Sequence, residues 1–347
     1  LSFGPYPEIS LREAREKRDE AKKLLREGED PNREKKRKKL HSRVATTFLS
    51  IASEYIAKQK NTWSSRHVKI VEGRLRLHVY PHIGNWPIRE IGATDILAII
   101  RKAEEREIFE TANRVHGICS RVFRYGVAIG AVGSDPCRDL KGALASYEKS
   151  HFASLTKPRD VGVLMCAIDE YNGSDVVRAA LRFSALTFCR PGEIRHAEWS
   201  EIDFEKREWI IPAAKMKMRI KHIVPLSRQS VEVLKKIHKT TGSGKYIFPG
   251  PRKQRPLSEN GVNVAIRSMG YSGDQMTAHG FRSMASTLLN EQDYNGDWIE
   301  AQLAHAKKGT RGIYNYAIYL RGRRQMMQWW ADYLDELRCS ATSGSRL

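Results

Sequence analysis

Residues 207–227 read REWIIPAAKMKMRIKHIVPLS, and they decide the fold class. REWIIPA (207–213) and RIKHIVPLS (219–227) are short runs rich in isoleucine and valine, a pattern that suits strands. KMK (215–217) falls between them, at the turn of an expected antiparallel hairpin. Lys215 and Lys217 then lie at its tip, where a flexible ammonium can reach into a groove, although solvated turn lysines are the plainer reading of the pair. Helical periodicity dominates on both sides, so this half of the chain is α+β, mostly helical with a small antiparallel sheet.

Outward from the hairpin, helices are predicted over 158–171 and 175–188 before it and from about 258 to the end after it, with KYIFPG (245–250) as a third short strand. KGALASYEKSHFASL (141–155) reads as a linker. Residues 44–140 form a separate basic, all-helical domain. Val44, Phe48, Ile51, Ala52, Tyr55 and Ile56 make the buried face of its first helix, and a second covers about 64–79. YPHIGNWPIREIGATDI (80–96) supplies a Pro/Gly loop, with Thr94 the expected N-cap of the next helix. A fourth helix runs through TANRVHGICSRVFRYGVAIG (111–130), with Arg114, Arg121 and Arg124 opposite its apolar positions. Before this domain, EDPNREKKRKKLHSR (29–43) is a basic linker whose Lys35, Lys36, Arg37 and Lys38 can lie on phosphates. The first 28 residues hold one helix over 10–27, with a Ser10–Glu13 capping box and Gly28 as its stop. Its apolar stripe is thin, as in a unit whose remainder is missing or small. The chain opens on Leu1 rather than Met, which points to processing or to a fragment.

The 347 residues suit two or three domains. Lys and Arg number 60 against 40 Asp and Glu, a net charge of +20, so a polyanion is the expected partner and nucleic acid the commonest one. No apolar run reaches the ~20 residues of a membrane span, and no signal pattern opens the chain. Five scattered cysteines with no Cys-x-x-Cys pair argue against zinc and against a disulfide framework, so a reducing cytoplasm is expected.

Four stretches could carry chemistry. In LTFCRPGEIRHAEW (186–199), Arg190 sits where the chain must turn, with Glu193 placed to hold its guanidinium. Alone, Arg190 is better read as a surface arginine of a helix–turn connection. In TAHGFRSMASTLLN (277–290), His279 and Arg282 share the i, i+3 spacing at a helix start, a suitable phosphate site. The hairpin offers its lysines. LAHAKKGTRGIYNYAIYL (303–320) offers His305 and three tyrosines, Tyr314, Tyr316 and Tyr319. Arginines, histidines, a lysine and a tyrosine are an incomplete kit for most enzymes but suffice for metal-free phosphoryl transfer. Metal-dependent nucleases need clustered carboxylates, and none stands out.

Arg190 in CRPGE, Lys217 eight residues before the proline of HIVPL, HGFR at 279–282, LAH at 303–305 and Tyr314 nine residues after His305 form an ordered set. The set resembles the tyrosine recombinases. YPHIGNWPIREI and MMQWWADYLDEL narrow the resemblance to integrases of the satellite-phage and genomic-island type. It implies that Arg190 and Arg282 clamp the scissile phosphate, Lys217 protonates the departing 5′-oxygen, His279 assists proton transfer at the nucleophile and His305 binds a phosphate oxygen. Glu193 would support the site and Tyr314 would be the nucleophile, with Tyr316 the runner-up. At ~100° per residue on a helix, Tyr316 and Tyr319 point about 200° and 140° away from Tyr314, so one pocket cannot receive all three. Ala304 departs from the LGH more usual in the family.

The resemblance further implies strand cutting and rejoining through a 3′-phosphotyrosine, without cofactor or metal. It makes 44–140 a core-binding domain and 156–340 the catalytic domain with its C-terminal helix. Residues 1–28 resemble only the end of an arm-binding domain, whose earlier strands are missing, so arm binding is not expected. Expected partners are double-stranded attachment-site DNA, three further copies in a tetramer on two sites, and possible helpers in a host DNA-bending protein and an excision factor. The expected location is the bacterial cytoplasm, on the nucleoid. Met326, Trp330, Tyr333 and Leu337 form an apolar stripe that packs on its own domain or docks on a neighbouring protomer. Two other readings remain: a type IB topoisomerase, and a DNA-binding regulator without activity.

Overall fold

The computed structural model describes residues 7, 9–28, 30–32, 46–146, 153–216, 218–252, 254–305 and 319–344. The chain divides into two compact units, Leu1–Lys149 and Ser150–Leu347.

In the first unit, α1 (Leu11–Arg26) starts as its capping box predicts. Ser10 N–H donates to Glu13 Oε2 at 2.9 Å, and Gly28 ends the turn at φ +82. Leu11 and Leu25 stay exposed, so this helix buries little of its apolar stripe. The core of the unit is helical. α2 (Phe48–Gln59) turns Phe48, Ile51, Ala52, Tyr55 and Ile56 inward, as their spacing requires. α3 (Ser65–Arg74) continues into one π-helical turn, Leu75–Val79. α4 (Ala93–Glu104) and α5 (Phe109–Ala128) pack against each other. Thr94 is not the cap of α4. Gly92 holds that position, and its N–H is satisfied by Asp95 Oδ2 at 2.8 Å. The carboxylate three residues into the helix outcompetes the hydroxyl, leaving Thr94 inside the first turn. Arg114, Arg121 and Arg124 stand exposed on α5 while Val115, Ile118, Val122 and Phe123 fill the core.

In the second unit, α6 (Pro158–Asp169) and α7 (Asp175–Thr187) precede a five-residue helix, α8 (Pro191–Arg195). Three antiparallel strands follow in the order β1 (Ile202–Asp203), β2 (Glu208–Ile211) and β3 (His222–Pro225). Trp209 faces Val224 and Ile211 faces His222 across β2–β3. The two expected strands are therefore present, but their connection is longer than a tight hairpin and includes a 3-10 turn, Ala213–Lys215. KYIFPG is not a strand. Tyr246 makes one isolated bridge to Glu198, while Ile247 and Phe248 are buried as a loop. The third strand is the two residues of β1, too short for any periodicity to reveal.

The remaining helices are α9 (Arg228–Thr241), α10 (Gly261–Ser268), α11 (Gly280–Glu291), α12 (Gly296–Gln302) and α13 (Leu320–Gly344). α13 packs along α6, with Met326, Met327, Trp330, Ala331 and Leu334 buried in the domain's own core. Tyr333 and Leu337 lie against the same core, so the stripe is covered within the chain. No helix among the described residues is long and apolar enough to cross a membrane.

Candidate active site

Arg190 caps the N-terminus of α8 with extended backbone, and Pro191 fits the first helical position because it has no N–H to satisfy. Glu193 on the next turn accepts twice from Arg190, from the backbone N–H and from the guanidinium Nη1, both at 2.8 Å. The carboxylate is buried and the arginine half-buried, so the pair is a fixed unit rather than a surface salt bridge. The other end of the guanidinium, Nη2, donates to Ala304 O at 2.9 Å.

Arg282 lies on the first turn of α11 and is buried. Its Nη1 donates to Phe188 O at 3.0 Å, and its Nη2 donates to Leu303 O at 2.7 Å. The same Nη2 lies 3.0 Å from His305 Nε2, and His305 Nδ1 lies 2.9 Å from Glu300 Oε2. An arginine only donates, so Nε2 accepts, and the ring proton sits on Nδ1 facing Glu300. Two of the carbonyls that hold these arginines belong to residues with left-handed backbone, Phe188 at φ +41 and Ala304 at φ +49. Such conformations are costly for residues with a Cβ. They turn the peptide oxygens after α7 and α12 onto the guanidinium groups.

His279 caps α11 and is half-buried. Burial lowers its pKa, and the positive charges of Arg282 and Arg190 lower it further. It is therefore held in the neutral form, able to accept a proton. The pKa of Arg282 is lowered by burial first and by Arg190 second. Glu193 balances the charge of Arg190, while Arg282 is held by neutral carbonyls, so the pair keeps a net positive charge that a phosphate would meet.

The fold thus brings together Arg190, Glu193, His279, Arg282 and His305 from three separate stretches of sequence. Lys217, Tyr314 and Tyr316 lie outside the described residues, as do Lys35, Lys36, Arg37 and Lys38. Tyr319 is placed: its hydroxyl donates to Asp297 Oδ2 at 3.1 Å beside the start of α13. Lys215 is not a free tip lysine. Its Nζ donates to His196 O at 2.9 Å and to Glu198 Oε1 at 2.7 Å, and it pairs with Glu201.

Sequence reasoning missed a buried polar layer beside the site. Arg323 of α13 donates through Nε (3.2 Å) and Nη2 (2.6 Å) to Gln302 Oε1, and through Nη2 to Ile223 O at 2.7 Å. Gln302 Nε2 in turn donates to Thr187 O at 3.2 Å. His222 of β3 is buried with no hydrogen-bond partner at Nε2 among the described residues. Burial, then Arg323, pushes its pKa down to about 3, with Arg190 and Arg282 adding to the effect. The one available signal was a glutamine directly before LAH on an otherwise apolar helix face. Among the described residues no group of His, Cys, Asp and Glu could hold a metal ion.

Three family models match the chain: the phage integrase central domain over residues 48–143, the phage integrase family over 156–319, and an arm DNA-binding domain over 1–38. The last agrees with the resemblance of the N-terminal residues to an arm-binding domain and carries it past residue 28. The N-terminal segment is arm-domain sequence, and the basic run through Lys38, read as linker, falls inside it. A short polar helix with exposed leucines carries too little apolar pattern to announce a domain on its own. Among similar proteins, the integrase of Enterobacteria phage P4 is 38% identical over 96% of this chain and 80% of its own length. The integrase of Shigella phage Sf6 is 37% identical over 97% and 86%. A lambda integrase dimer bound to a COC' core site shares the fold, with a TM-score of 0.62 at 20% identity over 75% of this chain and 96% of that one. So does a lambda integrase tetramer bound to a Holliday junction, with a TM-score of 0.62 at 20% identity over 76% and 78%. With relatives this similar across nearly the whole of this chain, it belongs to the phage integrase family of tyrosine recombinases.

Proposed function

We propose that this recombinase cuts and rejoins attachment-site DNA by attack of Tyr314 Oη on the scissile phosphorus, giving a 3′-phosphotyrosine and a free 5′-hydroxyl. Arg190 and Arg282 neutralise the non-bridging oxygens as charge builds, and His305 adds a hydrogen bond to one of them. His279 assists removal of the tyrosine proton, and Lys217 protonates the leaving 5′-oxygen. The phosphodiester energy stays in the covalent link, so no nucleotide is consumed.

The observation that carries this reading is the convergence of two arginines, held by Glu193 and by the carbonyls of Phe188, Leu303 and Ala304, beside a neutral His279 and His305. Such a constellation is suited to a phosphate in flight and needs no metal. The helical unit serves as core-binding domain, with Arg114, Arg121 and Arg124 on backbone phosphates, and Lys35, Lys36, Arg37 and Lys38 extend the same contacts from the arm segment. The active assembly is a tetramer on two DNA sites, aided by a host DNA-bending protein and an excision factor, on the nucleoid of a bacterial cell.

The test mixes the protein with genomic and mobile-element DNA, traps covalent complexes with denaturant and sequences the bound fragments. Adducts at a few discrete sequences are expected. Scattered adducts would indicate a topoisomerase, and stable binding without any adduct a regulator.

A further inference from the structure

Lys215 ends the 3-10 turn Ala213–Lys215 in the connection between β2 and β3. Its ammonium is fixed at three points: His196 O, Glu198 Oε1 and the carboxylate of Glu201. Glu201 is itself buried, and its second oxygen accepts the indole N–H of the core residue Trp209 at 2.9 Å. One carboxylate thus ties the connection to the hydrophobic core. The next residue, Met216, is buried in that same core, and its carbonyl accepts the N–H of Arg219 at 3.0 Å. The clasp and the core therefore hold the connection through Met216.

Burial works to lower the pKa of Lys215, but its hydrogen bonds to Glu198 and Glu201 raise it overall. A lysine so held keeps its proton and is a poor general acid. Exposed lysine pairs contribute little, and a long side chain drawn into a double carboxylate clasp needs another reason.

We propose that Lys215 is a positioning residue for leaving-group departure: clasped by Glu198 and Glu201, it sets the β2–β3 connection so that Lys217, two residues on, meets the 5′-oxygen. This rests on the assignment of Lys217 as general acid above. In that step the Tyr314 Oη–P bond forms, the P–O5′ bond breaks, and a proton passes from Lys217 Nζ to O5′. With sulfur at the 5′-bridging position the proton is not needed, because a thiol ionises near pH ~8.5, far below an alcohol.

The experiment uses the full chain and a nicked suicide duplex carrying a core site mapped from trapped adducts, made with either oxygen or sulfur at the bridging position. The readout is the ratio of the two cleavage rates, which a misfolded fraction leaves unchanged because it lowers both rates equally. Lys217→Ala is expected to lose about 100-fold on oxygen and to recover on sulfur. Lys215→Met is expected to follow the same pattern with a loss of about 10-fold, while Lys215→Arg, which keeps the clasp, holds the wild-type ratio. If Lys215→Met is too unstable, the Lys215→Met/Glu198→Gln double variant removes a charge together with its partner and should give the same ratio. Rescue of Lys217→Ala alone, with Lys215→Met slowed equally on both substrates or unaffected on oxygen, would overturn the proposal and leave Lys217 as the acid. No rescue of Lys217→Ala would overturn the assignment of Lys217 and this inference with it.

Discussion

Ala304 shows how one residue's backbone can serve another residue's side chain. Its φ of +49 aims its carbonyl at Arg190 Nη2, and the same left-handed geometry explains why glycine is the more usual residue at this place in the family. Ala304→Gly is expected to stabilise the catalytic unit by about 1 kcal/mol, since glycine adopts this conformation without the Cβ penalty. A urea titration measures it, and DNA cleavage should persist. His222 makes a second residue-scale prediction. Its folded pKa of about 3 lies below the unfolded value near ~6.5, so the unfolded chain binds the extra proton first as pH falls. Stability is full above that unfolded pKa and declines between pH ~6.5 and ~3, by up to about 1.4 kcal/mol per pH unit from this one group. His222→Gln is expected to flatten the slope of stability against pH in that window, and an unchanged slope would contradict the burial argument. Both arginines and both histidines of the site are legible as motifs because each lies in a short ordered pattern. His222, Gln302 and Arg323 are not, because a polar residue's burial depends on which distant segments close over it.

At the scale of elements, the C-terminal helix decides how the catalytic unit holds together. α13 crosses α6 at Gly162, where an added Cβ would collide with the carbonyl of Leu337. Gly162→Ala is therefore expected to cost about 1–3 kcal/mol, because backbone cannot yield as a flexible side chain can. Equilibrium unfolding would show it, and a neutral result would mean the helix is not seated as described. The stripe of Met326, Trp330, Tyr333 and Leu337 could be read from its period, but the period alone does not say whose core it enters. The same limit applies to KYIFPG: Ile247 and Phe248 are buried as any strand's would be, yet their backbone bonds to Ala197 and Leu257 stay isolated and do not extend into a ladder. The helix capped by Ser10 and Glu13 was legible to within a residue because its start is fixed by contacts three positions apart.

For the whole molecule, a net charge of +20 makes binding to a polyanion strongly dependent on salt. Arg114, Arg121 and Arg124 lie exposed along α5, clear of the core that fixes the helix. Replacing each with alanine is expected to weaken DNA binding at every sequence and to lower the slope of log K against log salt by about 1, with little change in stability. A slope that stays constant would remove them from the DNA-facing surface.

The arginine–histidine site can do nothing without a nucleophile, so the identity of that nucleophile is the decisive test. The measurement is peptide mapping of the denaturant-trapped protein–DNA adduct by mass spectrometry, for wild type and for Tyr314→Phe. The phosphonucleotide is expected on Tyr314 alone, and Tyr314→Phe should bind DNA yet form no adduct. An adduct on Tyr316, or one that survives in Tyr314→Phe, would contradict the assignment.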